Sequence, residues 1–251
     1  MRAKVAWHVG PQRARATTFW GDRMHVILPE ALSRELYLNG RFEEGLTTFM
    51  LERLQPNMTF FDVGAHFGYF TLLASHLVGP AGRVHAFEPT PSTFGVLQSN
   101  ATKRNVTLRR VAVWSHEDEL DLRDFGLGRS MFNSLYAPRL TRDAPYETVR
   151  VPAIALDDYV QETGVAPDFV KIDAESAEMS VIEGMTQTID RHGPCIAVEV
   201  GDLSADQPLT SRALLERLAD KGYEPFEYAD GEIRPHSLLD RYGYDNILLE
   251  R

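Results

Sequence analysis

Residues Thr59 to Thr71 read TFFDVGAHFGYFT, and the fold follows from how that stretch is punctuated. A short apolar run closes on the acid Asp62, Gly64 and Gly68 bound a turn, and Phe70, Leu72, Leu73 and Leu77 then recur at helical spacing. Strand, tight loop and helix follow in that order. Glycine at both ends of the loop lets backbone amides approach a ligand, and the helix start adds unpaired N–H groups with a partial positive charge. An anionic group is therefore expected there, with a purely structural turn as the alternative.

Glycine spacing separates two ligand classes. Dinucleotide binders use G-x-G-x-x-G, in which the second glycine admits the pyrophosphate and the third allows close helix packing. Here the order is Gly64, Ala65, His66, Phe67, Gly68, so bulky His66 stands where the second glycine would be. That crowds a diphosphate and suits a single carboxylate, such as the methionine end of S-adenosylmethionine.

Outward from this stretch, the composition is that of an ordinary globular domain: 251 residues, 43% hydrophobic and 25% charged. Lysine and arginine number 26 against 36 acids, a formal charge of −10, which argues against broad binding to nucleic acid or to an anionic membrane. No run reaches the apolar length of a membrane span, and MRAKVAWHVGPQRAR lacks the apolar core of a secretion signal, so a cytoplasmic location is expected. The single cysteine, Cys195, lies in the apolar run CIAVEV and reads as a small core residue; no CxxC or His-rich metal spacing is present.

Residues 1–58 read as an appendage packed on the same core, with two helices, Glu30 to Leu38 and Arg41 to Leu54, after the alternating segment MHVIL. Beyond the central stretch come RVHAFEP as a strand ending at Glu88, a helix started by Thr90 and Pro91, and VTLRRVAVWS as one strand from Val106 to Ser115. Strand and helix alternate as a parallel sheet requires. Residues 116–150 break the pattern with charged and turn-forming residues and read as a substrate-side insertion. Arg123, Arg129, Arg139 and Arg142 could hold an anion there, although interspersed aspartates make a solvated surface the simpler reading. Regular structure resumes with ETVRVPAIALDDYV, the strand DFVKIDAE, a helix from Ser176 to Arg191, the strand CIAVEV, an amphipathic helix over Pro208 to Gly222, and the closing runs EPFEYA and DNILLER.

Four of these strands carry an acid near the C-terminal end: Asp62, Glu88, Asp173 and Glu199. Ligands of open parallel sheets bind outside those ends, so the four carboxylates should converge. Glu88 is placed to accept two hydroxyl hydrogen bonds from a ribose. Lys171, Asp173 and Glu175 share one face of their strand by period-two alternation, which fits either a structural Lys171–Asp173 ion pair or a catalytic role.

With these residues in hand, the chain resembles the FkbM-type S-adenosylmethionine-dependent methyltransferases, within the Rossmann-like class I fold. The resemblance runs from about Gly40 to Val200 on FDVGAHFGYFT, HAFEPTPSTFGVLQSN, VPAIALDDYV, VKIDAESAEMSVIEGM and IAVEV. It implies an α/β core over residues 59–251, with a seven-stranded, mostly parallel sheet whose last strand is antiparallel. EPFEYA and DNILLER would be its strands six and seven. It also implies O-methylation of a hydroxyl on a small molecule such as a sugar or secondary metabolite, with no metal. Carried over by position, Gly64, Ala65, His66, Gly68 and Thr71 would hold the methionine end, Glu88 and Pro89 the ribose, and Ala112, Val113 and Trp114 the adenine, with Asp62, Phe70 and Asp173 also in the cofactor-binding set. Asp173 would face the methyl group as base or substrate-orienting acid, with His66 the rival base. Two departures stand out: Ser176 where the family has glycine, and His66 where it often has asparagine. An NAD-binding oxidoreductase and a cofactor-binding module without catalysis remain the alternatives.

Overall fold

The computed structural model describes residues 10–136, 144–202 and 210–251. The expectations for Arg139 and Arg142, and for a helix start at Pro208, fall outside the described residues.

The central stretch folds as its punctuation requires: β3 (Thr59–Val63), the glycine-bounded loop, and α3 (Tyr69–Val78). Beside β3 lie β4 (Arg83–Phe87) and then β5 (Val106–Arg109) on one side, and β9 (Phe169–Ile172) and β10 (Cys195–Val200) on the other, all parallel. The closing runs form β11 (Glu224–Ala229) and β13 (Asp245–Glu250), and β13 pairs antiparallel with both β10 and β11. The seven expected strands are joined by an eighth, β12 (Glu232–Pro235), in the order β12-β11-β13-β10-β9-β3-β4-β5. Asp230 and Gly231, both at positive φ, make the tight turn that folds β12 back on β11.

Period-two alternation splits the core between the two faces of the sheet. Phe60 packs on one side with Phe169, Leu72 and Leu73, while Phe61 packs on the other with Val170, Ile172 and Val198. Residues ahead of β3 share the first of these layers through Met24, Leu36, Phe49 and Met50. They comprise α1 (Ala31–Asn39) and α2 (Glu44–Arg53) and also a hairpin, β1 (Gln12–Thr17) with β2 (Arg23–Leu28), so this part is not purely helical.

Three sequence expectations are corrected. The strand read over Val106 to Ser115 divides: β5 ends at Arg109, the half-exposed edge of the main sheet. Buried Ala112 and Val113 form β6, which pairs with β8 (Glu147–Ile154) in a separate three-stranded sheet. The third strand of that sheet is β7 (Asp118–Asp124), inside the segment read as irregular. Its charges hide an alternation in which Leu122 is buried and the intervening acids face out. The helix read over Ser176 to Arg191 is two, α6 (Glu178–Glu183) and α7 (Thr186–His192). The break falls where Gly184 passes so close to the backbone of Trp114 that a Cβ would lie 2.0 Å from its carbonyl oxygen. Asp157 then accepts the amides of Gln187 and Thr188 at the start of α7, at 2.9 and 2.7 Å.

Candidate functional site

The loop after β3 owes its shape to left-handed backbone at Gly64 (φ 73°), His66 (φ 50°) and Gly68 (φ 92°). Its amides are largely spent inside the protein. Gly64 and Ala65 both donate to the Phe87 carbonyl at 3.0 Å, Gly68 donates to Ala65 at 2.8 Å, and His66 donates to Glu88 Oε2 at 3.0 Å. The expected anion cradle is therefore not made by these four groups; the loop contributes shape and a wall.

Beneath the loop lies a buried ion cluster. Lys171 Nζ stands 3.5 Å from Asp62 Oδ1 and 3.1 Å from Asp173 Oδ2, and donates to the Gly64 carbonyl at 2.8 Å. Thr71 Oγ1 donates to Asp62 Oδ2 at 2.5 Å. Burial pushes the Asp62 carboxyl up and the Lys171 ammonium opposes it, while Lys171 is held protonated by its two aspartates against the same burial. The cluster fastens β9 to the loop, which is the structural reading of the Lys171–Asp173 pair, but it also turns one carboxylate, Asp173, toward an open cavity.

That cavity lies outside the C-terminal ends of the parallel strands. Of the sequence-derived site residues, Gly64, His66, Glu88, Pro89, Ala112, Val113 and Asp173 line it. Asp62, Ala65, Gly68, Phe70, Thr71 and Trp114 do not. Ala65 and Gly68 are buried within the loop, Asp62, Phe70 and Thr71 are buried on the strand and helix that flank it, and Trp114 packs against the small sheet. Glu199 lines the cavity, so three of the four strand-end acids converge there.

Glu88 is buried, and each of its oxygens accepts one backbone amide, His66 at 3.0 Å and Thr90 at 2.9 Å. A carboxylate offers about four lone-pair sites, so it retains capacity for a diol. Val111, Ala112, Val113 and Leu122 give the neighbouring wall an apolar character that suits a flat heterocycle. The donor set thus fits the adenosine half of S-adenosylmethionine.

The opposite wall carries acids that sequence reasoning missed or left without a role. Glu43, Glu175 and Glu178 join Asp173 and Glu199 there, with Tyr244 beside them. Burial pushes Glu43 and Glu178 up to about 7, and pushes Glu175 and Glu199 up as well. Glu178 Oε1 accepts the amides of Ala174 and Ser176 at 3.0 and 3.1 Å, securing a turn in which Glu175 and Ser176 both have positive φ. Glu43 carried no local signal, because it precedes a helix in chain order and meets the cavity only through tertiary packing.

The 116–150 segment supplies a third side. Ser130 Oγ meets His66 Nε2 at 2.8 Å, and Ser134 Oγ donates to the Glu175 carbonyl at 2.7 Å, so the turn around Ser130–Phe132 bridges the loop after β3 and the turn after β9. Burial holds the His66 ring down to about 3, keeping it neutral. No helix among the described residues is long and apolar enough to cross a membrane.

Comparison with known proteins agrees with this geometry. Residues 62–225 match the methyltransferase FkbM domain. The chain is 31% identical over 161 residues to the 31-O-demethyl-FK506 methyltransferase FkbM of Streptomyces tacrolimicus, an alignment covering 53% of this chain and 61% of that enzyme. It is 26% identical over 156 residues to the hexuronic acid methyltransferase AglP of Haloferax volcanii, covering 59% of each. The chain thus spans about three fifths of the length of both relatives. A crystal structure of a methyltransferase FkbM from Methylobacillus flagellatus KT shares the fold, with a TM-score of 0.50 and 17% identity over 79% of this chain and 44% of that one. A strand-end glutamate with acceptor capacity to spare and a domain match across most of the sheet lead to one conclusion: the chain belongs to the FkbM family of S-adenosylmethionine-dependent methyltransferases.

Proposed function

We propose that the protein methylates a hydroxyl oxygen of a small molecule, a sugar or a secondary metabolite. The observation that carries this reading is the two-sided cavity. Glu88 and the apolar wall at Val113 bound one half, and Asp173, Glu199 and Glu43 bound the other, with the Gly64–His66 loop between them. When bound, S-adenosylmethionine supplies an electrophilic methyl group on a sulfonium. Glu88 would hold the ribose hydroxyls, and the loop wall would set the position of the methionine end. Asp173, held in place by Lys171 at 3.1 Å, would orient the acceptor beside the reacting carbon. The names of the two relatives, one acting on 31-O-demethyl-FK506 and one on a hexuronic acid, support an oxygen acceptor on a small molecule.

Calorimetry with S-adenosylmethionine, S-adenosylhomocysteine and NAD tests the cofactor half of the cavity, with binding of the first two and not the third as the expected result. A panel of sugars, uronic acids and hydroxylated metabolites, scored by S-adenosylhomocysteine release and by mass and NMR placement of the methyl group, tests the acceptor. Methylation at nitrogen or carbon would overturn the O-methyl reading, and binding without any turnover would favour a module that has lost catalysis.

A further inference from the structure

Methyl transfer to a hydroxyl releases a proton, and several groups around the cavity could take it. His66 is engaged by Ser130 and held neutral with a low proton affinity. Asp173 is engaged by Lys171 at 3.1 Å within the buried ion cluster that fastens β9 to the loop. Glu88 and Glu178 each accept amides of the turns they secure, after β3 and after β9, so both serve to shape the walls of the cavity.

Glu43 differs from all of these. It stands immediately before α2, where an acidic side chain would ordinarily turn back to accept the helix's own first amides. It makes no such bond, and its backbone is left-handed at φ 41°, an uncommon conformation for glutamate. Its carboxylate is instead held from the far end of the chain: Tyr244 Oη donates to Oε1 at 2.5 Å and Asn246 Nδ2 donates to Oε2 at 3.2 Å. Both Glu43 and Tyr244 line the cavity on the side of Asp173 and Glu199. The Glu43 carbonyl accepts the Thr47 amide at 2.8 Å, as an N-cap does, but its side chain makes no bond to the helix and is held at the cavity by the two long-range bonds.

We propose that Glu43 is the base of the methyl transfer, held toward the acceptor by Tyr244 and Asn246. The inference rests on the O-methyl-transfer reading. The acceptor O–H bond breaks and its proton passes to the Glu43 carboxylate as the acceptor oxygen bonds to the methyl carbon. The carbon–sulfur bond breaks with its electron pair left on sulfur, so the positive charge lost from the sulfonium is matched by the proton held on Glu43. The groups facing Glu43 are Tyr69 on α3, Lys171 on β9, Asp173 and Glu175 in the turn after it, Glu199 on β10, Tyr244 just before β13 and Asn246 within it. Burial and the charge of Asp173 push Glu43 up to about 7, against the bonds from Tyr244 and Asn246 and the attraction of Lys171. A base so tuned accepts a proton efficiently at neutral pH.

The test compares wild type, Glu43→Gln and Tyr244→Phe by infrared titration of the cofactor-free carboxyl groups, calorimetry with S-adenosylmethionine, and S-adenosylhomocysteine release with the best acceptor of the panel, or with water alone if none responds. Glu43→Gln should remove one carboxyl titration near pH 7 and lower turnover by about 10² to 10⁴ while leaving S-adenosylmethionine affinity unchanged. Tyr244→Phe removes a bond that favours the ionised carboxylate, so the rising limb of the pH–rate profile should move to higher pH; a merely structural role would lower the rate without moving the limb. Wild-type turnover and pH profile in Glu43→Gln, an unmoved limb in Tyr244→Phe, or a fall in S-adenosylmethionine affinity in step with the rate would each overturn the assignment to Glu43 alone. A wild-type protein that binds S-adenosylmethionine but turns over with no acceptor and not with water would overturn the methyl-transfer reading and Glu43's part in it together.

Discussion

The carbonyl oxygen of Asp173 lies 1.7 Å from the point a Cβ on Gly64 would occupy. The glycine that opens the loop after β3 is therefore required by the backbone of the turn after β9, and no ligand need be invoked for it. Gly64 also has φ 73°, so a side chain there is strained as well as blocked.

Gly64→Ala is accordingly expected to destabilise the protein itself, by about 2–5 kcal/mol, from about 1–2 kcal/mol of left-handed strain and about 1–3 kcal/mol of overpacking. At Gly68 the obstacle is Leu97 Cδ1 at 2.6 Å, the tip of a side chain that can move, so Gly68→Ala should cost less. Urea denaturation of the two variants gives the comparison, and equal stabilities would contradict the contact at Asp173.

Glu88→Ala should lower both stability and cofactor affinity. The substitution strands two buried amides, those of His66 and Thr90, at about 1–3 kcal/mol each, and removes the acceptor for the ribose hydroxyls, worth at least about tenfold in Kd. Denaturation and calorimetry with S-adenosylhomocysteine read the two effects separately. Unchanged affinity in folded Glu88→Ala protein would remove the ribose assignment.

Stability of the cofactor-free protein should fall between pH 5 and 8. Glu43, Glu88 and Glu178 rise from an ordinary 4.5 to about 7, chiefly through burial, and Glu175 and Glu199 move in the same direction. Such acids bind more protons folded than unfolded between those limits, so their stabilising contribution is complete below about 4.5 and is lost as pH rises through about 7. His66 and His85, held down to about 3 and about 4 by burial, act oppositely up to 6.5 but are outnumbered. Calorimetric Tm against pH tests the sign; Glu43→Gln should give a shallower slope, and a Tm that climbs to pH 8 would refute the balance.

Much of the fold was legible in the chain because apolar periodicity and turn chemistry act between near neighbours. Thr59 to Thr71 specified its own strand, loop and helix, and the parallel strands beside it announced themselves as short apolar runs closing on Glu88, Asp173 and Glu199. Where local pattern and long-range packing compete, packing decided. Residues Val106 to Ser115 look like one strand, yet Ala112 and Val113 join a different sheet because β8 offers them a buried partner. The helix after β9 breaks at Gly184 because Trp114, distant in sequence, occupies the space a side chain would need. The site divides in the same way. Glu88, Asp173 and Glu199 could be read from their strand ends, since the C-terminal edge of a parallel sheet is a place that sequence order specifies. That Asp62 turns inward to Lys171, that the loop amides are spent on Phe87 and Glu88, and that Glu43 reaches the cavity from Tyr244 and Asn246 were decided only by tertiary structure. Each depends on groups that approach one another only once the sheet has closed, and no spacing along the chain encodes the direction in which a side chain then points.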